Sequence, residues 1–180
     1  VARLLWDDDQ VDYFQDEAPM PPPALPERAA ACAPEAPPLA RAMCVLPLLA
    51  SLQLPSDMLR SGPLLMRVLA ATLLQTAPSA LPLHRQVADA WQADAGESEL
   101  IRAALVLLAD HELNASTFAV RCVASTGASL PAALGAGLAA LSGHKHGGGS
   151  AAARHMLTGA LAAAVPVQFI GDFYRSTASA

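Results

Sequence analysis

Apolar residues recur at helical spacing through most of the chain after residue 39. Four segments place apolar side chains three and four positions apart, as on one face of an α-helix: 39–52, 64–74, 82–92 and 97–109. Gly62 and Pro63 precede the second segment, and a proline in the first turn is a common helix start. No segment alternates apolar and polar residues with period two, so the pattern predicts no strand. The predicted fold class is therefore all-α and multi-helical.

Proline and acidic residues interrupt this spacing near the N-terminus. Residues 1–16 carry two short apolar stretches around the acidic run 7–9, and we expect two short helical pieces there. Residues 18–38 contain eight prolines, which fix φ and remove amide donors, so no long helix is expected. An irregular connector is the favoured interpretation of this Pro-rich stretch, and a PxxP-type ligand is the alternative.

The longest uncharged stretch covers residues 122–142, and its 21 residues are long enough to cross a bilayer. It is rich in Ala and Gly, contains Pro131 and several hydroxyl side chains, and has no aromatic belt. Ala and Gly contribute little transfer free energy to lipid, but they let helices pack closely. We therefore expect one long helix that is buried on all sides, a setting that includes a subunit interface, and no membrane span.

Composition and charge narrow the classes of function. Apolar residues make up 53% of the 180 positions and charged residues 15%, which argues against a disordered chain and a coiled coil. The 16 acidic residues outnumber the 11 basic ones, so no nucleic-acid partner is expected. Cys32, Cys44 and Cys122 are far apart and form no CxxC pair, which indicates reduced thiols. No secretory signal is visible, so we expect a cytoplasmic protein.

Two polar segments carry the candidate chemistry. Residues 110–117 read Asp-His-Glu-Leu-Asn-Ala-Ser-Thr, and residues 143–148 read Gly-His-Lys-His-Gly-Gly. Each follows a long apolar helix, so both could lie at the rim of a buried cleft. The same residues also suit structural roles, His111 as a helix C-cap, Asn114 and Ser116 as N-cap residues, and the second segment as a polar turn or weak metal-binding tract. From spacing alone both interpretations stay open.

Residues 109–148 resemble the citrate synthase family. In that family a substrate-binding histidine in a D-H-E-x-N-x-S-type segment precedes a long buried helix. That helix ends in a G-P-x-H-G-G turn, which carries a catalytic histidine. This chain carries both segments at the ends of its uncharged stretch. Residues 1–6, Val-Ala-Arg-Leu-Leu-Trp, resemble the family's V-A-x-L-L-W helix.

The resemblance implies a fold and an activity. Residues 1–149 would form the N-terminal part of the family's large α-helical domain, and residues 150–180 a divergent helical tail. The activity would be that of an acyltransferase of the tricarboxylic acid cycle type. It would condense acetyl-CoA with oxaloacetate, or a related 2-oxoacid as in 2-methylcitrate synthases, to give citrate and CoA. The family also implies a homodimer with acetyl-CoA as co-substrate, without a bound cofactor or metal.

The resemblance also assigns roles to individual side chains. His111 would hydrogen-bond the oxoacid and polarise its carbonyl, and Asn114 would support that pocket. His146 would be the catalytic donor, giving a hydrogen bond from a neutral imidazole to the thioester oxygen as the enol forms. Ser116 would orient His146 and fix its tautomer.

Two glycines complete the site that the resemblance implies. Gly147 and Gly148 would let the backbone approach the co-substrate closely, where a Cβ would intrude. The turn departs from the family pattern before these glycines. His144 stands at the family's proline, and Lys145 follows it, so a second imidazole and a cation lie next to His146.

The alternative function is that of a catalytically incomplete relative. After residue 149 there is no G-x-G-H-type segment with a second catalytic histidine. His155 is interpreted as a surface or capped histidine, and nothing marks Asp172 as a base. A general base is worth roughly 10²–10⁴-fold in rate. A chain without one would act as a dimerising or dicarboxylate-binding protein.

Overall fold

The computed structural model describes residues 35–50, 58–110 and 112–177, with isolated positions before residue 35. Within these residues the chain forms helices joined by turns and no strand, which confirms the all-α prediction. In chain order the helices are α1 (Pro38–Ala50), α2 (Met58–Leu74), α3 (Leu83–Trp91), α4 (Ala95–Leu107), α5 (Ala115–Ala124), α6 (Leu130–Leu141), α7 (Gly149–Ala162) and α8 (Pro166–Thr177). Most of the predicted helical pieces at 1–16 and of the connector 18–38 lies outside the described residues.

The hydrophobic core lies between α1 and α2. Val45, Leu46 and Leu49 of α1 pack with Leu65 and Val68 of α2, and each of these side chains is at most 1% exposed. Leucines of α6 at four-residue spacing pack against this cluster: Leu130, Leu134 and Leu138. The apolar residues at helical spacing therefore form the faces through which α1, α2 and α6 pack together.

Helix α2 begins earlier than the sequence predicts. The predicted start at Gly62 and Pro63 is wrong, because α2 begins at Met58 and Pro63 lies inside it. A proline inside a helix loses one backbone hydrogen bond, but the Pro63 ring is fully buried. Burial of this apolar ring offsets the lost bond, so tertiary packing overrides the local start signal.

Helices α3 and α4 pack against each other and have well-defined caps. Helix α3 fills the predicted segment 82–92, with Pro82 as N-cap and Gln92 in a left-handed C-cap conformation at φ 55°. Helix α4 starts with a capping box, in which Asp94 Oδ1 accepts from the Glu97 N–H at 2.8 Å. Glu97 Oε2 accepts from the Asp94 N–H at 2.9 Å. This cap moves the start of α4 ahead of the predicted residue 97.

The uncharged stretch 122–142 is not the single long buried helix that the sequence predicts. It contains the end of α5, a turn at 125–129 and helix α6. Gly127 has φ 79°, a left-handed conformation that interrupts a helix, and the Ser125 and Thr126 hydroxyls donate to carbonyls of α5. The buried residues of α6 are Pro131, Ala133 and Gly137. No helix in the described ranges combines the length and apolar character needed to cross a membrane.

The chain divides into two compact units at residue 139. Residues 1–139 contain α1 to α5 and most of α6. Residues 140–180 contain a turn that leads into α7, which packs against α8. In this second unit, a Cβ on Gly159 would lie 2.3 Å from the Phe169 ring, so the missing side chain lets the two helices meet. The predicted boundary at residue 149, between a family domain and a divergent tail, stays a prediction.

Candidate functional site

Asn114 starts helix α5 and organises the first predicted segment. Its backbone is extended, with φ −73° and ψ 171°. Its Oδ1 accepts hydrogen bonds from the Thr117 N–H at 2.8 Å and from the Ser116 hydroxyl at 2.9 Å. This is N-cap geometry, which satisfies an amide donor of the first helical turn. The carbonyl oxygen is therefore used locally, and the amide Nδ2 is the group of this side chain that could donate to a ligand.

The chain turns sharply just before this cap. Asp110 Oδ1 accepts a hydrogen bond from the Glu112 N–H at 2.9 Å, and Glu112 has φ 58°. A carboxylate bonded to the amide two residues later is a local turn motif. His111, between these two acidic residues, lies outside the described residues, so its substrate-binding role stays a prediction.

The second predicted segment forms a compact turn between α6 and α7. The His146 and Gly148 N–H groups both donate to the Gly143 carbonyl, at 3.0 and 3.2 Å. The Gly147 N–H donates to the Leu141 carbonyl at 3.0 Å, at the end of α6. Hydrogen bonds thus hold the backbone at His146 and on its C-terminal side, which limits where the imidazole can point.

Gly147 and Gly148 are required by the turn itself. A Cβ on Gly147 would lie 2.2 Å from the Leu141 carbonyl oxygen, and a Cβ on Gly148 would lie 2.7 Å from the His144 Cα. Both contacts are with backbone atoms, so rotation of a side chain cannot relieve them. The turn therefore explains these glycines directly, and their predicted closeness to a co-substrate stays a prediction.

The two histidines of this turn differ in exposure. His144 is exposed, whereas His146 is partly buried. A hydrogen bond to developing charge is stronger away from bulk water, so His146 is the better placed of the two as a donor. Across the described ranges, no three His, Cys, Asp or Glu side chains are close enough to hold a metal ion. The interpretation of the segment as a metal-binding tract therefore gains no support there.

The predicted site residues fall into two groups. Asn114 and Ser116 share a hydrogen bond at the start of α5, in the first compact unit. His146, Gly147 and Gly148 share the turn in the second unit. The Ser116 hydroxyl donates to Asn114, and its predicted role in orienting His146 stays a prediction.

Sequence reasoning missed a groove between α2, α3 and α4. Its lining includes Met66, Leu83, Arg102 and Leu105, together with Leu5, and the sequence analysis singled out none of them. The available signal was the run of seven apolar residues at 103–109, which is more than one buried helix face requires.

The fold and the two segments together define an all-helical protein with a capped, polar helix entry and a histidine-glycine turn. The family model described as citrate synthase, C-terminal domain, matches residues 32–176. This match covers most of the chain, includes both predicted segments and continues through α7 into α8. The chain therefore belongs to the citrate synthase family.

Curated relatives match over shorter segments. One relative is a protein of Mycobacterium tuberculosis that is provisionally named citrate synthase 2. This chain is 46% identical to it over 69 residues, which are 37% of this chain and 18% of that protein. The citrate synthase of Heyndrickxia coagulans is 44% identical over 61 residues, 34% of this chain and 16% of that protein. The citrate/2-methylcitrate synthase of Bacillus subtilis is 41% identical over 61 residues, with the same shares. The aligned segments thus span less than a fifth of these relatives. No solved structure matches the chain significantly.

Proposed function

We propose that this chain carries out citrate synthase-type acyl transfer, in which acetyl-CoA condenses with oxaloacetate or a related 2-oxoacid to give citrate and CoA. The observation that carries the proposal is the family match, because it contains the segment 110–117 and the turn 143–148 together. In this reaction the acetyl methyl group loses a proton and the enol carbon attacks the ketone. Water then cleaves the thioester. Acetyl-CoA is a co-substrate, and no bound cofactor is needed.

His146 is proposed as the donor to the thioester oxygen. Its partial burial and the hydrogen-bonded turn around it support this role. A neutral imidazole N–H held against this oxygen would stabilise the negative charge that develops as the enol forms. Removal of one such donor costs on the order of 10²–10³-fold in kcat. His144, exposed in the same turn, is the matched control.

His111 and Asn114 are proposed to bind the oxoacid. Asn114 can donate from Nδ2 to a carboxylate or carbonyl oxygen while its Oδ1 continues to cap α5. In the sequence, His111 lies between the end of α4 at Leu107 and this cap, three residues before Asn114, which supports a shared pocket. A hydrogen bond from His111 would polarise the ketone toward attack by the enol carbon.

A homodimer in the cytoplasm, acting in the tricarboxylic acid cycle, belongs to the same proposal. Support for the dimer comes from α6, where Ala132 and Ala139 are exposed and Ala136 is partly buried at helical spacing. Small side chains on one face let a second helix approach closely. Sedimentation of the chain at micromolar concentration tests this part, and a monomer would contradict it.

Release of CoA thiol is the test of the activity. The chain is mixed with acetyl-CoA and oxaloacetate, and free thiol is followed with a chromogenic thiol reagent. We expect His146→Ala to lower the rate by about 100-fold or more, because it removes the donor to the developing charge. The control His144→Ala should keep most of the rate.

Binding measurements separate the two proposed histidine roles. Calorimetric titration with oxaloacetate should show weakened binding in His111→Ala and nearly unchanged binding in His146→Ala. Equal loss of affinity in both variants would contradict this division. A folded chain that binds oxaloacetate but releases no thiol would contradict the activity.

That last outcome is what the second candidate function predicts, a dimerising or dicarboxylate-binding relative without catalysis. Asp172 of α8 favours this candidate through its surroundings. It is exposed and accepts a hydrogen bond from the Arg175 guanidinium within α8. A base for the methyl proton must instead lie against the substrate.

A further inference from the structure

Helix α6 meets α5 at a glycine. Gly137 is buried in α6, and a Cβ on it would lie 2.4 Å from Val120 Cγ2 and 3.4 Å from the Ser116 carbonyl oxygen. Ser116 and Val120 are four residues apart, so they occupy the same face of α5 on successive turns. The missing side chain of Gly137 therefore lets α6 lie directly against the first two turns of α5.

The first of these turns carries Asn114, the N-cap of α5. Asn114 Oδ1 accepts hydrogen bonds from the Ser116 hydroxyl at 2.9 Å and from the Thr117 N–H at 2.8 Å. These bonds tie the Asn114 side chain to the helix, so a displacement of α5 carries the amide Nδ2 with it. Ser116 joins the two features, because its carbonyl faces Gly137 and its hydroxyl holds Asn114.

The two helices differ in how firmly the rest of the first compact unit holds them. Leu130, Leu134 and Leu138 attach α6 to the core cluster of α1 and α2. Helix α5 has no buried residue, and Phe118 on it is 56% exposed. A side chain that forces these helices apart should therefore displace α5, and α6 should stay in place.

We infer that Gly137 is a positioning residue for oxoacid binding, because its close contact with α5 sets the place of the Asn114 amide. This role rests on the proposed function, in which Asn114 donates to the oxoacid. Two carbon atoms prefer a separation of about 3.5–4.0 Å, so a contact of 2.4 Å requires α5 to move by on the order of 1 Å. A hydrogen bond of about 2.9 Å that is lengthened by this amount is no longer formed.

Calorimetric titration with oxaloacetate tests this role. We expect Gly137→Ala to weaken the binding by about tenfold, since a hydrogen bond from Asn114 to a carboxylate is lost. Gly135→Ala is the matched control on the same helix. A Cβ on Gly135 would lie 3.9 Å from Leu46 Cδ1, an ordinary contact, so this control should bind oxaloacetate as the unmodified chain does.

A second control separates positioning from loss of stability. Val68→Ala leaves a cavity in the core between α1 and α2, so it destabilises the chain without enlarging any side chain at α5. While a variant stays folded by circular dichroism, lower stability alone leaves its dissociation constant unchanged. We therefore expect Val68→Ala to keep the affinity of the unmodified chain, whereas Gly137→Ala loses affinity while it is still folded.

Substitutions of Val120 test whether its contact with position 137 is the cause. Val120→Ala removes the methyl groups that a Cβ on Gly137 would meet, so the double variant should recover most of the affinity of Val120→Ala alone. Val120→Met enlarges the same contact from the α5 side with a flexible side chain. It should weaken oxaloacetate binding as well, and it takes the place of Gly137→Ala if that variant does not fold.

The possible results separate the positioning role from the proposed function. Unchanged affinity in Gly137→Ala, or in Val120→Met if only that variant folds, would overturn the positioning role and leave the oxoacid site intact. Equal weakening in Val68→Ala would assign the effect to stability, and a loss that persists in the double variant would exclude the contact with α5; either result contradicts the role. A folded, unmodified chain that binds no oxaloacetate would instead refute the oxoacid site, and the role of Gly137 with it.

Discussion

Replacement of Gly137 by alanine tests how closely α5 and α6 approach each other. A Cβ on Gly137 would lie 2.4 Å from Val120 Cγ2 and 3.4 Å from the Ser116 carbonyl oxygen. The first distance is far below the separation of about 3.5–4.0 Å that two carbon atoms prefer. Gly137 is buried in α6, so the new methyl group cannot turn into solvent. Relief requires either movement of α5 or another Val120 rotamer.

Two effects of opposite sign set the expected change in stability. Alanine is about 1 kcal/mol more favourable than glycine in a helix interior. Overpacking costs about 1–3 kcal/mol, and Val120 has one strongly preferred χ1 rotamer in a helix, so it escapes the contact poorly. The steric effect should win. We expect Gly137→Ala to lower the free energy of unfolding by up to about 2 kcal/mol.

Urea unfolding followed by circular dichroism measures this change, and Gly135→Ala is the matched control on the same helix. A Cβ on Gly135 would lie 3.9 Å from Leu46 Cδ1, an ordinary contact, so this control should stabilise the chain by up to about 1 kcal/mol. Removing the obstacle with Val120→Ala should make Gly137→Ala stabilising as well. The reasoning is refuted if Gly137→Ala is as stable as Gly135→Ala, or is equally destabilising in the Val120→Ala background.

Two further predictions concern local electrostatics and capping. Asn114→Ala should lower the free energy of unfolding by about 1 kcal/mol through loss of the α5 N-cap, whereas Asn114→Asp should keep the cap. Urea unfolding compares the two variants, and equal losses of stability would contradict the cap assignment. The pKa of Glu99 is lowered mainly by its hydrogen bond from Arg102. Ionised Glu99 therefore stabilises the folded chain at pH values above the ordinary glutamate pKa of about 4.3. This stabilisation is lost as the pH falls through the lower pKa of the folded state. NMR titration of the Glu99 carboxyl carbon should show this lowered pKa and its return toward the ordinary value in Arg102→Gln, and identical titration curves would contradict the assigned cause.

Where the sequence predicted helix ends correctly, the ends depend on local chemistry. Helix α3 fills the predicted segment 82–92 because Pro82 and Gln92 cap it within its own sequence. Helix α2 does not start at Gly62 and Pro63, because burial of the Pro63 ring outweighs the local signal. That burial depends on α1 and the rest of the core, which the local spacing of residues 58–74 does not contain.

The length of the helix predicted in the uncharged stretch 122–142 also could not be obtained from local sequence. Absence of charge over 122–142 led to the prediction of one long buried helix, whereas the stretch holds the end of α5, a turn and α6, with Pro131, Ala133 and Gly137 as the buried residues of α6. It could not locate the turn at 125–129, where Gly127 adopts φ 79° and two hydroxyls take up carbonyls of α5. The composition of the segment indicates how much apolar surface it has. The number of helices in the segment depends on the backbone conformation at the turn, which composition does not give.

For the candidate site, the structure adds a local reason for two of the predicted residues. The sequence attributes Gly147 and Gly148 to a nearby co-substrate, which stays a prediction, and the structure shows that each also lies against backbone of its own turn, at Leu141 and His144. A turn that tolerates no Cβ at either position restricts the backbone of His146, because the same hydrogen bonds run through that residue. In the proposed function, the glycines would therefore act through the position of His146, without touching a ligand. The sequence His-Gly-Gly contains both the glycines that the turn needs and the histidine that the proposed reaction needs. A family resemblance detects this sequence as a whole and does not separate the two reasons for it.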